Sequence, residues 1–244
     1  MAGTTARRRS LISGGTDKGT VLVGQDSPGK SKKQKRRKRS MVKKTAVEQT
    51  TCMISAGQTL SGRYLIQKEL ARGAMGIVFE ALDKELEDTT VAIKVLSPEL
   101  TDDEKAREQL RHEAMAAMAL THTNIVRLHG FERDNKTVYL VMELIDGPTV
   151  EEILVDEEVL SYSSVVEIVQ ALCPALDYAH ERSVIHRDIK PSNLMLAIEA
   201  GKSLYKLTDF GIASRAAKVA EAAGTLLYIS PEQLRNQEID GRAD

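Results

Sequence analysis

Tryptophan is absent from the 244 residues, and only three phenylalanines and six tyrosines supply aromatic surface. A chain this poor in aromatics has no stacking platform interleaved with its positive charges, which removes the main device by which proteins hold single-stranded nucleic acid. Two cysteines, Cys52 and Cys173, are too few for a disulfide framework or a cysteine zinc site. Cys173 reads as a small core residue of a buried helix. The histidines at 112, 122, 129 and 180 show no paired ligand spacing. No stretch approaches the roughly 20 apolar residues of a membrane helix, and the N-terminus lacks the compact apolar region of a secretory signal. The expectation is a cytoplasmic chain with no transmembrane segment of its own, any membrane anchor lying in a C-terminal part beyond residue 244.

The near-neutral total charge of −1 is a cancellation. Residues 1–55 hold 14 Lys and Arg against 3 Asp and Glu, net +11, leaving 20 against 32, net −12, for the remainder. Residues 1–57 therefore read as a basic, disordered tail around Lys32-Lys33-Gln34-Lys35-Arg36-Arg37-Lys38-Arg39. Such a run suits an acidic or anionic partner, whether protein, nucleic acid or lipid head group; the plainer reading is a solvated tail.

Chemistry concentrates in His186-Arg187-Asp188-Ile189-Lys190-Pro191-Ser192-Asn193. Asp188 can accept a hydroxyl proton, Lys190 two residues on can neutralise a moving phosphate, and Asn193 offers an amide oxygen to a metal ion. The octapeptide resembles the catalytic loop of protein kinases, H-R-D-x-x-x-x-N. Its companions stand in kinase order. Val91-Ala92-Ile93-Lys94 reads as a buried strand carrying a cation. Thr101-Asp102-Asp103-Glu104 fits a capping box opening a helix whose inner stripe is Leu110, Ala114, Ala117 and Met118, with Glu113 on that stripe. Asp209-Phe210-Gly211 follows a short strand and resembles the family's metal-binding triplet, and Ser230-Pro231-Glu232 resembles Ala-Pro-Glu.

The glycine-rich segment Leu70-Ala71-Arg72-Gly73-Ala74-Met75-Gly76-Ile77-Val78 keeps two of three glycines, between expected strands at 63–70 and 77–83. Ala71 replaces the first, which ordinary β geometry tolerates. By resemblance this segment covers ATP. Lys94 reaches its phosphates and pairs with Glu113, Met142 guards the back of the adenine pocket, Glu143 and Ile145 present backbone groups to the base, and Val78, Ala92 and Met195 sandwich it. Asn193 and Asp209 hold Mg²⁺, with Mn²⁺ an alternative. Val165, Val169, Leu172, Leu176 and Ala179 trace a buried helix over 163–182, kinked at Pro174.

The resemblance implies an α+β, two-lobe protein-kinase-like fold over residues 63–244. A β-rich N-lobe with one main helix occupies 63–143, a hinge 143–147 and a mostly helical C-lobe 148–244, incomplete after the activation segment. Asp240-Gly241-Arg242-Ala243-Asp244 would open the next large-lobe helix, and the missing partner of Glu232 would follow, so the chain reads as a fragment. Its implied activity is transfer of the γ-phosphate of MgATP to serine or threonine hydroxyls of proteins, in the style of bacterial serine/threonine kinases of eukaryotic type. Lys190 two residues after Asp188 favours those acceptors over tyrosine. The alternative is a catalytically inert kinase-like binding or regulatory fragment. In the activation segment, Ser214, Thr225 and Tyr228 are the hydroxyl residues, and the expectation is that Glu221 stands in for a loop phosphate or that a partner orders the segment.

Overall fold

The computed structural model describes residues 54–101, 103–199, 201–210 and 225–244. The basic run lies outside them, as do the middle of the activation segment and Glu221.

Val91-Ala92-Ile93-Lys94-Val95-Leu96 has no polar face of its own, so a strand built from it needs cover on both sides. It receives both. This strand, β4 (Thr89–Leu96), lies inside a six-stranded antiparallel sheet with β1 (Thr59–Leu60), β2 (Tyr64–Gly73), β3 (Gly76–Asp83), β5 (Leu128–Asp134) and β6 (Thr137–Glu143), in the order β1-β2-β3-β4-β6-β5. The pleat sends Val91, Ile93 and Val95 to one core with Phe79, Tyr139 and Val141. Ala92 and Leu96 go to the other face with Val138, Leu140 and Met142. Lys94 shares that second face by parity, pairing with Leu140 in the ladder.

The sheet curls until its two edges meet. Ser61, between β1 and β2, donates its backbone N–H to Asp134 of β5 at 2.7 Å and bonds Tyr139 through its hydroxyl at 2.6 Å. Glu132 accepts from the hydroxyls of Tyr64 and Tyr139 at 2.8 and 2.9 Å. Burial raises both phenolic pKa values well above the ordinary range, and the neighbouring carboxylate adds to the effect. Both rings are therefore hydroxyl donors at neutral pH.

A short α1 (Pro98–Thr101) precedes the main small-lobe helix, α2 (Glu104–Met118). The expected capping box at Thr101 is not used, because Thr101 ends α1 with its hydroxyl turned to the Ser97 carbonyl. Asp103 caps α2 instead, accepting from Ala106 N–H at 3.2 Å. Leu110, Ala114 and Ala117 are buried as expected, whereas Met118 is 37% exposed, since it lies about 100° round the helix from Ala117.

A third core lies under α3 (Val150–Glu157), α4 (Tyr162–His180) and the hairpin β7 (Leu194–Glu199) and β8 (Lys202–Leu207). A four-residue helix, α5 (Pro231–Leu234), stands beyond the activation segment. Helix α4 continues through Pro174. Ala175 and Ala179 are its fully buried residues, flanked by Ile168, Ala171 and Leu172. Two sequence expectations are corrected here. Cys173 is exposed, because two residues before Ala175 is about 200° round the helix. Val165 and Val169, at 43% and 51% exposure, lie at the margin of the inward stripe and not within it.

Candidate active site

His186 and Arg187 shape the start of the loop 186–193. His186 is fully buried, stacked edge-on against Phe210 at 4.7 Å. Its Nδ1 accepts from the Asp188 N–H at 3.2 Å, so its proton sits on Nε2 and is donated to the Thr208 carbonyl at 2.7 Å. Burial lowers the imidazole pKa, opposed in part by that carbonyl and by the Asp244 carboxylate. A neutral His186 is thus a spacer between two loops. Arg187 adopts the left-handed conformation, φ 67°, uncommon for a residue with a Cβ. Its Nε is buried without a hydrogen bond among the described residues.

The Asp188 carboxylate then meets both loop partners named by the sequence. Lys190 Nζ lies 2.7 Å from Oδ2, and Asn193 Nδ2 donates to the same oxygen at 2.9 Å and to the Asp188 carbonyl at 2.7 Å. With its NH₂ committed in this way, Asn193 has its amide oxygen left for another partner. Asp209 supplies the second oxygen centre, also in a left-handed conformation, φ 69°. Burial works against its charge, but Lys94 at 2.7 Å more than compensates and holds the carboxyl below the usual carboxylate range. The described residues contain no group of three or more His, Cys, Asp or Glu able to grip an ion. Two hard oxygens from Asn193 and Asp209 fit a divalent ion that keeps most of its shell for water and phosphate.

One expected pair is corrected. Among the described residues Lys94 pairs with Asp209 and not with Glu113, whose Oε1 is reached by Gln109 Nε2 at 3.1 Å. Helical spacing places Glu113 at the edge of the inner stripe, but it does not set how far α2 stands from β4.

The glycine-rich segment is the β2–β3 hairpin, closed by Gly73 opposite Gly76. Gly76 has φ +143°, and a Cβ there would fall 1.9 Å from the Val95 carbonyl oxygen. Ala71 pairs with Val78 in the ladder and keeps negative φ, so alanine fits that position. Leu70, Ala71 and Arg72 are exposed, with Arg72 ion-paired to Glu69 at 2.6 Å. Met75 and Val78 pack against the cluster of Ala92 and Met142, which joins loop, strand and the residue before the hinge.

The hinge is fastened on both sides. Glu143 donates its N–H to the Arg127 carbonyl at 2.9 Å, and its carboxylate accepts from Lys206 of β8 and from the Arg127 N–H. Ile145 is buried, and Gly147 lies so close to β7 that a Cβ would sit 1.9 Å from the Leu196 carbonyl oxygen. Thr149 bridges Met195. The sequence reading missed Lys206, and also Asp244 and Gln233, which hold the loop from outside. Asp244 accepts from His186 N–H at 2.7 Å, Arg187 N–H at 2.6 Å and His180 Nε2 at 2.8 Å. Ser230 and Gln233 do carry a legible S-x-x-Q capping signal, but not the contact Gln233 makes with Arg187.

Comparison with known proteins follows this geometry. The protein kinase domain pattern matches residues 64–244. The chain is 36% identical over 198 residues to serine/threonine-protein kinase PknA of Mycobacterium tuberculosis, covering 77% of this chain and 45% of the relative. It is 33% identical over 193 residues to a probable serine/threonine-protein kinase of Clostridium acetobutylicum, covering 77% and 29%. The chain thus spans less than half the length of these relatives. The crystal structure of the PknI kinase domain of Mycobacterium tuberculosis superposes with a TM-score of 0.67 at 32% identity, over 78% of this chain and 72% of that one. No helix among the described residues is long and apolar enough to cross a membrane. With the protein kinase pattern matched over residues 64–244 and bacterial serine/threonine kinases at 33% and 36% identity, the chain belongs to the protein kinase family and stands among its bacterial serine/threonine members.

Proposed function

We propose that the protein of which this chain forms the kinase unit transfers the γ-phosphate of ATP to serine or threonine hydroxyls of other proteins. One observation carries the proposal. The Asp188–Lys190–Asn193 cluster and the Lys94–Asp209 pair stand at the open end of a single hairpin, β7–β8, with ion-pair distances of 2.7 Å in each.

ATP with Mg²⁺, or Mn²⁺ in its place, supplies the transferable phosphoryl group and the positive charge that balances it. Asp188 accepts the proton of the acceptor hydroxyl. Lys190, already beside that carboxylate, carries the cation that follows the phosphoryl oxygens. Asn193 and Asp209 hold the divalent ion through an amide and a carboxylate oxygen. Lys94 would be the phosphate-binding cation, and its exchange of Asp209 for phosphate oxygens would leave the Asp209 carboxylate to the ion. The segment Leu70 to Val78 covers the nucleotide. Val78, Ala92 and Met195 enclose the base, Met142 closes the pocket behind it, and Glu143 and Ile145 offer backbone groups; the Glu143 N–H is already bonded, so its carbonyl is the group available.

A second reading, a kinase-like binding unit without turnover, draws support from the Lys94–Asp209 pair, which occupies two reactive groups with each other. All the charged groups needed for transfer are nevertheless present. Asp188→Asn separates the two readings. Loss of a positioned base costs about 10²- to 10⁴-fold in turnover, while ATP affinity stays within about threefold because hinge, lysine and metal groups are intact. Undiminished radiolabel transfer by this variant would remove Asp188 from the role, and wild-type protein that binds ATP without transferring phosphate would favour the inert reading.

A further inference from the structure

Gln233 uses both ends of its side-chain amide. Its Oε1 accepts from the Ser230 N–H at 3.0 Å, and the Ser230 hydroxyl accepts from the Gln233 N–H at 3.4 Å, closing a capping box around α5. Its Nε2 donates to the carbonyl of Arg187 at 2.8 Å, across 46 residues of sequence. That carbonyl belongs to the peptide unit joining Arg187 to Asp188.

The other end of the same peptide unit is the Asp188 N–H, which His186 Nδ1 holds at 3.2 Å. A peptide unit is a rigid plane. Fastened at its oxygen by Gln233 and at its hydrogen by His186, it cannot rotate about its long axis without breaking one bond or the other. The unit needs such fastening, because Arg187 on its N-terminal side sits at φ 67°, a conformation a residue with a Cβ leaves when it is not held. A turn at the Arg187 ψ bond that is not undone at the Asp188 φ bond carries the Asp188 Cα–Cβ bond with it, and with that the carboxylate that Lys190 and Asn193 share.

We propose that Gln233 is a positioning residue for Asp188, fixing the aim of its carboxylate by pinning the Arg187–Asp188 peptide, in addition to capping α5. The inference rests on the reading of Asp188 as proton acceptor. A displacement on the order of 1 Å at a reacting group costs about a hundredfold in rate, which bounds what the clamp can contribute.

Gln233→Glu separates the two jobs of the side chain. A carboxylate keeps an acceptor for the Ser230 N–H at a helix N-terminus, where negative charge is welcome, but has no N–H for the Arg187 carbonyl. Gln233→Met loses both. In the full chain, both variants are expected to lower kcat by about 10- to 100-fold with KM for ATP within about threefold. Only Gln233→Met is expected to lower the thermal midpoint through loss of the cap. Amide-resolved hydrogen exchange supplies the second readout, with the Asp188 N–H exchanging at least tenfold faster in Gln233→Glu. Unchanged exchange at Asp188, or a kcat of Gln233→Glu within twofold of wild type, overturns the proposal. Wild-type protein that transfers no phosphate sinks the kinase reading and the catalytic half of the inference with it. The exchange measurement decides the pinning of the peptide in either case.

Discussion

Replacing Asp244 with alanine removes one carboxylate that three donors share. The side chain is fully buried, and it accepts from two backbone N–H groups of the catalytic loop at 2.6 and 2.7 Å and from His180 at 2.8 Å. His180 is partly exposed, 24% for its side chain, and can turn to water. The His186 and Arg187 N–H groups cannot do so without moving the loop. An orphaned buried donor costs roughly 1–3 kcal/mol, so the two together cost about 4 kcal/mol. That is a large share of the roughly 5–15 kcal/mol that holds a domain folded. With a urea dependence near 2 kcal/mol per molar, the midpoint of unfolding falls by about 2 M. Asp244→Asn keeps one acceptor oxygen and loses about half as much. The assay is urea unfolding at neutral pH, followed by hydrogen exchange at the His186 and Arg187 amides in native buffer. A midpoint shift below about 0.5 M, or a large shift with both amides as protected as before, would refute the account of Asp244 as the anchor of the loop.

Lys94→Met is expected to reduce kcat/KM for ATP by about 10²- to 10³-fold, the loss typical of one preorganised charge partner. Its acid limb also moves: Lys94 is what holds Asp209 below the usual carboxylate range against burial, so without it the ionised form needed to hold a metal ion is lost at a higher pH, and superimposable acid limbs in the two pH–rate profiles would count against the pair. Arg63→Met leaves Asp83 buried without its bidentate partner, whose bonds are 2.7 and 2.6 Å. Breaking such a pair costs about 3–5 kcal/mol, read as a lower thermal midpoint. The Arg63 guanidinium holds the Asp83 carboxyl below the ordinary aspartate range. The stabilisation is therefore complete above about pH 5 and fades as acid passes through the lowered folded-state value. A stability difference that stayed constant down to pH 2 would show that the charge pair is not its source.

What the sequence discloses here follows the range of the interactions. Asp188, Lys190 and Asn193 lie within six residues, and their meeting is written in one loop. The parity of β4 places Lys94, Ala92 and Leu96 on one face, because a strand has a fixed period of two. Asp103 and Thr101 compete as caps two residues apart, and the winner depends on whether 98–101 forms a turn of its own. Glu113 illustrates a different limit. Periodicity gives its direction from the axis of α2, but the pairing with Lys94 depends on the position of the whole helix, a tertiary quantity. The contacts of Asp244, Gln233 and Lys206 with residues 58, 46 and 63 positions away have no local signature at all. Cys173 departs from expectation for a simpler reason: small and apolar, it suits a core, yet the buried alanines of α4 set a face that excludes it.

The hairpin of β7 and β8 begins just after Asn193 and ends just before Asp209. Its last rung pairs Leu194 with Leu207, and the Thr208 N–H extends it by bonding the Asn193 carbonyl at 3.0 Å. The two oxygen centres are therefore the tips of one caliper whose jaw width is set by six antiparallel rungs. Lys94 belongs to a different body, the curled sheet. The six rungs fix the spacing of Asn193 and Asp209 within the hairpin, and the 2.7 Å pair of Lys94 with Asp209 is the tie between that hairpin and the curled sheet.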